Sequence, residues 1–442
     1  MLASQDGSQP LPDNDVLHVK TALLHSPNLS MKLRCNTWLK MENMQPSGSF
    51  KIRGVGHMCI KAVELRGPSI HFVTAAGINT CLAVAYAARQ LNVEATIVLP
   101  KIVNQKIFDM IKLEGANLIM LGEDFEESEA HARALLSKMR NGIYIPSSDN
   151  PCIWEGNATI IKELEVQLRH EPPAAIICPV GGGGLLNGII MGLEQVGWKQ
   201  VPVIAVETHG SNSFQAAVVA GKLVTLPKSK TIAKSLNVRT VSAKSLELSL
   251  DHPVVPFAVS DAMAADAVRN FADDHKTLVE TACGAALSLC YTQVIRDILP
   301  SLTEASDIVV ITTGGSDIFL DDLDHFRRKY SNPPIVVKSG SEVFLKLGDS
   351  LSSIADVDAD HAVAAANGVV PFDNIRQDRE AGAMDGFTRV VNSAKDYAHD
   401  QRNRIDSSNA IDHARESNMI MTGLDATTAI PALVKQETAG SP

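Results

Sequence analysis

The chain lacks several features that would assign it at once to a class of protein. Its 442 residues include only 5% aromatic residues and contain no block of basic charge, and the net charge is −10. We therefore expect no nucleic-acid partner. The seven cysteines form no CxxC pair and show no metal-ligand spacing, which favours reduced thiols in a cytoplasmic protein. The N-terminus has no charged region followed by an apolar stretch, so no secretory signal is expected.

One uncharged segment is long enough to resemble a membrane span. Residues 174–193 contain no charged side chain, but a proline and several glycines interrupt the run. A short strand, a glycine-rich turn and a helix explain this composition better than a span does. We therefore predict no membrane-spanning segment and no membrane partner.

Short apolar runs alternate with helical patterns along most of the chain. Because 442 residues exceed what one compact core usually holds, more than one domain is expected. Apolar runs joined by helices are typical of buried parallel strands, which predicts an α/β fold with open parallel sheets and a ligand cleft. Strands are predicted at residues 31–35, 37–40, 71–73, 95–100, 117–121, 142–145, 175–178, 201–207 and 308–313, and helices at 82–91, 104–114, 125–139 and 185–196.

Two motifs carry the chemistry. Lys51 lies between turn-forming residues and a predicted helix start, and its amine can attack a carbonyl carbon. About 130 residues later, Gly181–Gly184 separate a strand from a helix, where backbone N–H groups can surround a phosphate. The glycine run is neither a Rossmann fingerprint nor a Walker loop. Alone, the lysine would be read as a surface charge and the glycines as a tight turn, but together they indicate pyridoxal phosphate.

Three other residues have structural explanations as good as functional ones. Asn79 follows a strand and precedes a helix, so it can serve as a helix cap. Glu207 ends a strand and can be a solvated carboxylate at the sheet edge. Thr313, which precedes two glycines, can be an ordinary β-branched strand residue.

In combination, these residues resemble the fold-type II pyridoxal-phosphate enzymes, and most closely the eukaryotic L-serine dehydratase/threonine deaminase group. The resemblance covers roughly residues 16–330 and implies a tryptophan synthase β-like fold of two domains with the cofactor in the interdomain cleft. It rests on ordered motifs at Met41–Gly54, Ala85–Leu91, Ile153–Gly156, Pro179–Leu186, Val203–Gly210, Ile232–Leu236, Leu278–Leu287 and Thr312–Ser316.

The resemblance assigns roles in cofactor binding. It implies that Lys51 holds the cofactor aldehyde, that Phe50 flanks the pyridine ring and that Asn79 hydrogen-bonds the ring hydroxyl. Thr313 stands where the family has a Cys or Ser facing the pyridine nitrogen. The implied phosphate cradle consists of Gly181, Gly182, Gly183, Gly184 and Leu185.

A potassium ion is also implied by the resemblance. Its ligands would be Glu207 and Ser213, together with carbonyl groups near Ser211, Leu236 and Val238. Asn237 stands where the family usually has a glycine, so this site departs from the family pattern.

A larger departure lies in the loop that binds the substrate carboxylate in the family, which has the form Ser-Ser-Ala/Gly-Gly-Asn-Ala-Gly. Here both serines are alanine (Ala75 and Ala76), and two glycines are Ile78 and Cys81. Losing a charge-assisted hydrogen bond costs about 1.5–3 kcal/mol. We therefore expect cofactor binding to be retained and serine turnover to be impaired. The candidate loop comprises Thr74, Ala75, Ala76, Gly77 and Ile78.

The activity implied by the resemblance is that of an L-serine/L-threonine dehydratase, an ammonia-lyase that forms a 2-keto acid and ammonia by β-elimination. Lys51 would remove the Cα proton of the substrate. Two alternatives remain open: a β-replacement enzyme, and a cofactor-binding paralogue with lost or redirected activity. The expected partners are a small amino-acid substrate and a second copy of the chain in a homodimer.

The resemblance also divides the chain. Residues 331–442 lack Trp and show few apolar runs, which favours a weakly ordered extension over an accessory domain. The expected segments are a flexible lead at 1–15, a catalytic region at 16–330 and the extension at 331–442. Within the catalytic region we expect a smaller subdomain at about 55–150 and a larger one from 16–54 and 151–330.

Overall fold

The computed structural model describes residues 16–227 and 230–330, and the backbone of residues 335–339, 342–347 and 350–353. The flexible lead predicted at 1–15 lies outside the described residues, as does most of the extension predicted at 331–442. The part of the extension that is described forms three antiparallel strands, Ile335–Ser339, Glu342–Leu347 and Ser350–Ser353.

The helices of the described region follow the chain in this order: α1 Pro27–Leu33, α2 Lys51–Arg66, α3 Ile78–Leu91, α4 Gln105–Leu113, α5 Phe125–Leu136, α6 Pro151–Gln167, α7 Gly184–Gln195, α8 Ser213–Ala220, α9 Ala243–Asp251, α10 Asp261–His275, α11 Thr281–Tyr291, α12 Ile295–Ile298 and α13 Leu320–Lys329. Short 3-10 helices cover Glu42–Met44 and Lys234–Leu236. None of the helices in the described ranges is long and apolar enough to cross a membrane.

The strands are β1 Leu23–His25, β2 Asn36–Met41, β3 His71–Thr74, β4 Glu94–Leu99, β5 Asn117–Met120, β6 Gly142–Tyr144, β7 Ala175–Pro179, β8 Val203–Thr208, β9 Val254–Val259, β10 Asp307–Thr312, β11 Ile335–Ser339, β12 Glu342–Leu347 and β13 Ser350–Ser353. They form a six-stranded sheet in the order β1-β2-β10-β7-β8-β9, a four-stranded sheet in the order β5-β4-β3-β6, and the three-stranded sheet β11-β12-β13.

The six-stranded sheet is parallel except for β1, which pairs antiparallel with β2. Successive residues of its central strands enter two different cores. Ile177 and Val310 pack on one face with residues of α10 and α11, whereas Ile176 and Val309 pack on the other with residues of α6 and α7. Because both faces are covered, these strands are apolar at every position rather than alternating.

The four-stranded sheet is parallel throughout. Phe72 of β3 packs with residues of α2 and α3, and Val73 of the same strand faces Ala132 of α5. The α/β class and the open parallel sheets predicted from the sequence are therefore confirmed.

Most predicted elements are present, with ends shifted by a few residues, but one strand prediction was wrong. Residues 31–35, expected to form a strand, instead complete α1 and the turn that follows it. Ser26 caps this helix by accepting a hydrogen bond from the Leu29 N–H, and the helix ends at Arg34 in a left-handed conformation (φ 50°). The buried residues Leu29 and Leu33 lie four positions apart, which is the helical rather than the strand spacing.

The functional residues follow the carboxyl ends of three parallel strands. β3 leads into α3, β7 leads through the glycine loop into α7, and β10 ends immediately before Thr313. Ligands of open α/β sheets bind at this edge. The fold therefore brings residues from both parallel sheets to one place.

Candidate active site

A cavity with about 520 Å³ of space, part of it open to solvent, lies where these strand ends meet. The cavity is lined by Ser49, Phe50, Lys51, Asn79, Ser148, Pro179, Val180, Gly181, Gly182, Gly183, Gly184, Leu185, Leu186, Ser235, Leu236, Glu280, Ala282, Thr313 and Gly314. All residues predicted to bind the cofactor are in this set.

Lys51 is the first residue of α2, and its side chain lies in the cavity. The amine Nζ donates a hydrogen bond to the Ser147 carbonyl oxygen at 2.6 Å and lies 5.3 Å from the centroid of the Phe50 ring. Burial lowers the pKa of Lys51 to about 8, and the negative charge of Glu280 opposes this shift. A larger fraction of this amine is therefore neutral and nucleophilic at neutral pH than in an exposed lysine.

The glycine loop leaves no room for side chains. A Cβ atom on Gly182 would lie 2.3 Å from Ser148 Oγ, and one on Gly184 would lie 2.5 Å from the Ser148 carbonyl oxygen. Gly183 has a φ of +87°, and a Cβ there would lie 2.0 Å from Ser245 Oγ. α7 begins at Gly184, so backbone N–H groups at the helix start are open to close approach by an anion.

Asn79, in the first turn of α3, is held by hydrogen bonds on both sides of its amide. Its Nδ2 donates to the two carboxylate oxygens of Glu280 at 3.0 and 3.1 Å and to Ser235 Oγ at 3.2 Å. Its Oδ1 accepts a hydrogen bond from the Ser316 N–H at 3.0 Å. Asn79 therefore lies in the cavity wall rather than acting as a simple helix cap, since its helix has Gly77 at the N-cap position.

Thr313 also lines the cavity, and its carbonyl oxygen accepts a hydrogen bond from the Phe50 N–H at 3.2 Å. The thiol of Cys283 lies beside it. Burial raises the pKa of Cys283 to about 11, although hydrogen bonds with the backbone of Gly314 and with the side chain and backbone of Thr313 oppose the shift. Thr313 and Cys283 are therefore neutral groups at physiological pH.

The polar cavity residues that sequence analysis missed are Ser49, Ser148, Ser235 and Glu280. Ser49, Ser235 and Glu280 all lie within motifs that supported the family resemblance, so proximity to those motifs was the signal that could have identified them. Ser148 had no such signal, because it lies in a loop between β6 and α6 that the tertiary structure folds beneath the glycine loop.

The predicted substrate loop does not line the cavity in the described structure. Its polar groups bond to neighbouring segments: Thr74 Oγ1 donates to the Ile145 carbonyl, and the Ala76 carbonyl accepts from Cys81 Sγ at 3.2 Å. Ile78 packs with Cys81 in an apolar cluster. The loop substitutions are thus accommodated by contacts inside the protein rather than by contacts in the cavity.

Glu207 and Ser213 lie together at the start of α8. The Glu207 carboxylate accepts hydrogen bonds from the Phe214 and Gln215 N–H groups at 2.9 and 2.8 Å, and burial raises its pKa to about 8. Ser213 Oγ is buried with no hydrogen-bond partner among the described residues. No group of three or more His, Cys, Asp and Glu side chains able to hold a metal is present in the described part of the chain.

Comparison with known proteins identifies the family. The family described as "Pyridoxal-phosphate dependent enzyme" matches residues 16–314. This chain belongs to that family. Pyridoxal phosphate is therefore its cofactor, the fold-type II architecture predicted from the sequence is confirmed, and the residues above can be examined as a site for this molecule.

Similar proteins are known from several organisms. The L-serine dehydratase/L-threonine deaminase of Homo sapiens is 47% identical over 310 residues, covering 70% of this chain and 94% of the human protein. The L-serine dehydratase of Dictyostelium discoideum is 37% identical over 312 residues, covering 68% of this chain and 89% of that protein. The crystal structure of a fungal L-serine ammonia-lyase from Rhizomucor miehei is 64% identical with a TM-score of 0.70, covering 71% of this chain and 99% of that one.

The residues in the cavity fit pyridoxal phosphate. An amine of lowered pKa is present at Lys51, and the glycine loop lines the same cavity with backbone that is packed too closely against Ser148 and Ser245 to carry side chains. Ser49, which is 1% exposed and lines the same cavity, has a buried hydroxyl without a hydrogen-bond partner among the described residues. A buried polar atom of this kind is normally paired with a ligand or water.

Proposed function

We propose that this chain is an L-serine/L-threonine dehydratase that converts its substrate to a 2-keto acid and ammonia by β-elimination. The observation that carries the proposal is the shared cavity of Lys51 and the glycine loop, which brings together an amine of lowered pKa and a backbone phosphate cradle. The names of the human and fungal relatives support the substrate class.

Each residue has a defined task in this proposal. Bound pyridoxal phosphate supplies an electron sink for the electron pair released at the substrate Cα. Lys51 Nζ would hold the cofactor aldehyde until the substrate amine displaces it, and the freed amine would then take the proton from Cα. Phe50 would pack beside the ring, and Thr313 would offer a neutral hydroxyl to the pyridine nitrogen. Since a neutral hydroxyl would not protonate the ring as a carboxylic acid would, it would favour prompt loss of the β-hydroxyl, which would leave as water after receiving a proton from the phosphate side of the cavity.

The phosphate and the ring hydroxyl complete the binding site. Backbone N–H groups of the glycine loop would donate hydrogen bonds to the phosphate, and Leu185 continues that surface into α7. Asn79 would donate a hydrogen bond to the ring hydroxyl. In the same proposal, Glu207 and Ser213 hold a potassium ion, supported by the unpartnered Ser213 hydroxyl beside a buried carboxylate.

A second candidate function is a cofactor-binding paralogue with redirected or lost activity. The observation that favours it is the loop of residues 74–78, which has alanine in place of two serines and does not line the cavity in the described structure. A β-replacement reaction on an amino acid is the other form that redirected activity can take.

The substrate class, the oligomeric state and the cellular location are part of the same proposal. The substrate is a small amino acid, and the protein is a homodimer in the cytoplasm, where its seven free thiols are stable. The catalytic region at 16–330 divides into a smaller unit around the four-stranded sheet and a larger unit around the six-stranded sheet.

The visible spectrum of the purified protein, recorded before and after adding L-serine, L-threonine and other amino acids, tests these candidates. A cofactor band that shifts with L-serine while pyruvate accumulates supports the dehydratase. A band that responds only to another amino acid supports redirected activity. A band that no amino acid changes supports the non-catalytic paralogue.

Substitution of the lysine provides the decisive variant. Lys51→Ala should remove the lysine-linked band and lower keto-acid release by at least about 100-fold, the usual minimum for loss of a general base. Lys101→Ala is the matched control, because Lys101 is exposed and pairs with Glu123 away from the cavity. Full keto-acid release by Lys51→Ala would contradict the proposal.

A further inference from the structure

Glu280 is a buried carboxylate in the wall of the cavity, directly before α11. Only 5% of the residue is exposed. Its Oε1 accepts hydrogen bonds from the Asp317 N–H at 2.8 Å and from Asn79 Nδ2 at 3.0 Å. Its Oε2 accepts from Ser235 Oγ at 2.6 Å and from Asn79 Nδ2 at 3.1 Å. Three separate chain segments therefore converge on one carboxylate.

The backbone next to Glu280 packs closely against its carboxylate. Gly315 has a φ of +119°, and a Cβ atom there would lie 2.1 Å from Glu280 Cδ. Burial raises the pKa of Glu280, while hydrogen bonds from Ser235, the Asp317 N–H and Asn79 oppose the shift. A buried acid that costs free energy to ionise is retained where its charge or its acceptor atoms are needed.

The carboxylate determines which way round the Asn79 amide lies. An ionised carboxylate can only accept hydrogen bonds, so the amide must present Nδ2 to Glu280 and Oδ1 to the Ser316 N–H. The reverse orientation would place an oxygen against the carboxylate and an NH₂ group against another N–H. One Nδ2 hydrogen is used by Glu280, and the other is left for Ser235 Oγ at 3.2 Å or for a molecule in the cavity.

We infer that Glu280 is a positioning residue, which holds Asn79 in the orientation that offers a hydrogen-bond donor to the ring hydroxyl of the cofactor. The inference rests on the proposed function, because it takes the ring hydroxyl as the ligand of Asn79. Glu280 does not contact that hydroxyl in this account. It acts on the ring hydroxyl through Asn79. At a pH well above 8, where the Lys51 amine is neutral with or without Glu280, loss of Glu280 should therefore affect cofactor affinity only while Asn79 is present.

A purely structural role predicts a different result. Glu280 also connects α3 to the Ser235 and Asp317 segments. If that connection were its whole contribution, removing the carboxylate would weaken the cavity regardless of the residue at position 79. A double-mutant cycle separates the two cases, since coupling appears as non-additivity.

The experiment measures the dissociation constant of pyridoxal phosphate for the full-length apoprotein by titration of the visible band, and the melting temperature of the same apoprotein. The proteins are the wild type, Glu280→Leu, which removes both acceptor oxygens, Asn79→Ala and the double variant. Each single variant should bind about 10–100-fold more weakly, as expected for a lost hydrogen bond to a charged group. The double variant should be no weaker than the weaker single variant. Asp266→Asn, a carboxylate-to-amide change on α10 outside the cavity lining, should bind within about twofold of wild type.

A polarity swap covers the case in which Glu280→Leu alone is unstable. In Asn79→Asp/Glu280→Gln the amide at position 280 donates a hydrogen bond to the carboxylate at position 79, so the contact between the two side chains is rebuilt but position 79 no longer offers a donor to the cofactor. We expect recovery of the melting temperature without recovery of cofactor affinity. Recovery of both, multiplicative losses in the cycle, or wild-type affinity in Glu280→Leu would overturn the inference. Absence of a lysine-linked band in the wild type, or unchanged binding by Asn79→Ala, would instead refute the proposed site.

Discussion

The lowered pKa of Lys51 has a measurable consequence for how fast the apoprotein captures its cofactor. Only the neutral amine attacks an aldehyde. With the pKa at about 8, about 9% of the amine is neutral at pH 7, against about 0.03% for an amine with a pKa of 10.5. The cavity therefore increases the reactive fraction of the amine about 300-fold at neutral pH.

The assay is stopped-flow mixing of apoprotein with pyridoxal phosphate between pH 6 and 11, following the visible band. The ratio of this rate constant to that of Nα-acetyl-lysine, which removes the cofactor's own ionisation, should be constant below about pH 8 and should fall between pH 8 and 10.5, because Lys51 is then already neutral while the free amine is still losing its proton. Glu280→Gln removes the charge that raises the pKa of Lys51, so its curve should shift to lower pH. Lys51→Ala should give no band.

One outcome would refute this reasoning. If the rate constant ran parallel to that of Nα-acetyl-lysine up to pH 10, the Lys51 amine would have an ordinary pKa and burial would not be desolvating it. A curve for Glu280→Gln shifted to higher pH would contradict the assigned sign of the Glu280 interaction, since loss of a negative neighbour must disfavour the protonated amine.

Three further predictions concern the glycine loop, the substrate loop and the buried acid. Gly182→Ala should weaken pyridoxal phosphate binding at least about tenfold, because the new Cβ would lie 2.3 Å from Ser148 Oγ. The double variant Gly182→Ala/Ser148→Gly removes that contact and should recover much of the lost affinity. Ala75→Ser/Ala76→Ser should increase kcat/KM for L-serine about 10–100-fold if the hydroxyls regain a charged hydrogen bond; unchanged kcat/KM would show that the loop does not reach the substrate. Burial raises the pKa of the Glu207 carboxyl from 4.5 to about 8. Between these two pH values the carboxyl is protonated in the folded chain and ionised in the unfolded chain, so its contribution to the free energy of unfolding should decline as the pH rises. The melting temperature of Glu207→Gln should therefore vary less with pH over this range than that of the wild type. Added potassium should raise the wild-type melting temperature more at pH 8 than at pH 6, and an equal effect on Glu207→Gln would argue against the ion site.

Local sequence patterns predicted the parallel sheets well because their strands are buried on both faces and therefore read as continuous apolar runs. Ile176 and Ile177 face opposite cores, yet both positions must be apolar. The wrong strand at residues 31–35 shows the limit of this reasoning. A short apolar piece has no clear period, and only the Ser26 cap and the spacing of Leu29 and Leu33 distinguish the helix.

The sequence by itself determined the cofactor, and it predicted residues that the structure places around one cavity. Lys51 and the glycine loop have chemical properties that belong to the residues and their immediate neighbours, namely an amine and a backbone free of side chains. Their order along the chain was enough to indicate pyridoxal phosphate, although about 130 residues separate them. No distance between them was needed for that inference.

The tertiary structure alone decided the electrostatics and the hydrogen-bond directions. The pKa of Lys51 depends on burial and on Glu280, which is more than 200 residues away in sequence. The orientation of Asn79 depends on Glu280 and on the Ser316 N–H, and the space beside Gly182 depends on Ser148. These properties arise from groups that meet only when the chain folds, because desolvation and hydrogen bonding act over a few ångströms and are independent of separation along the chain.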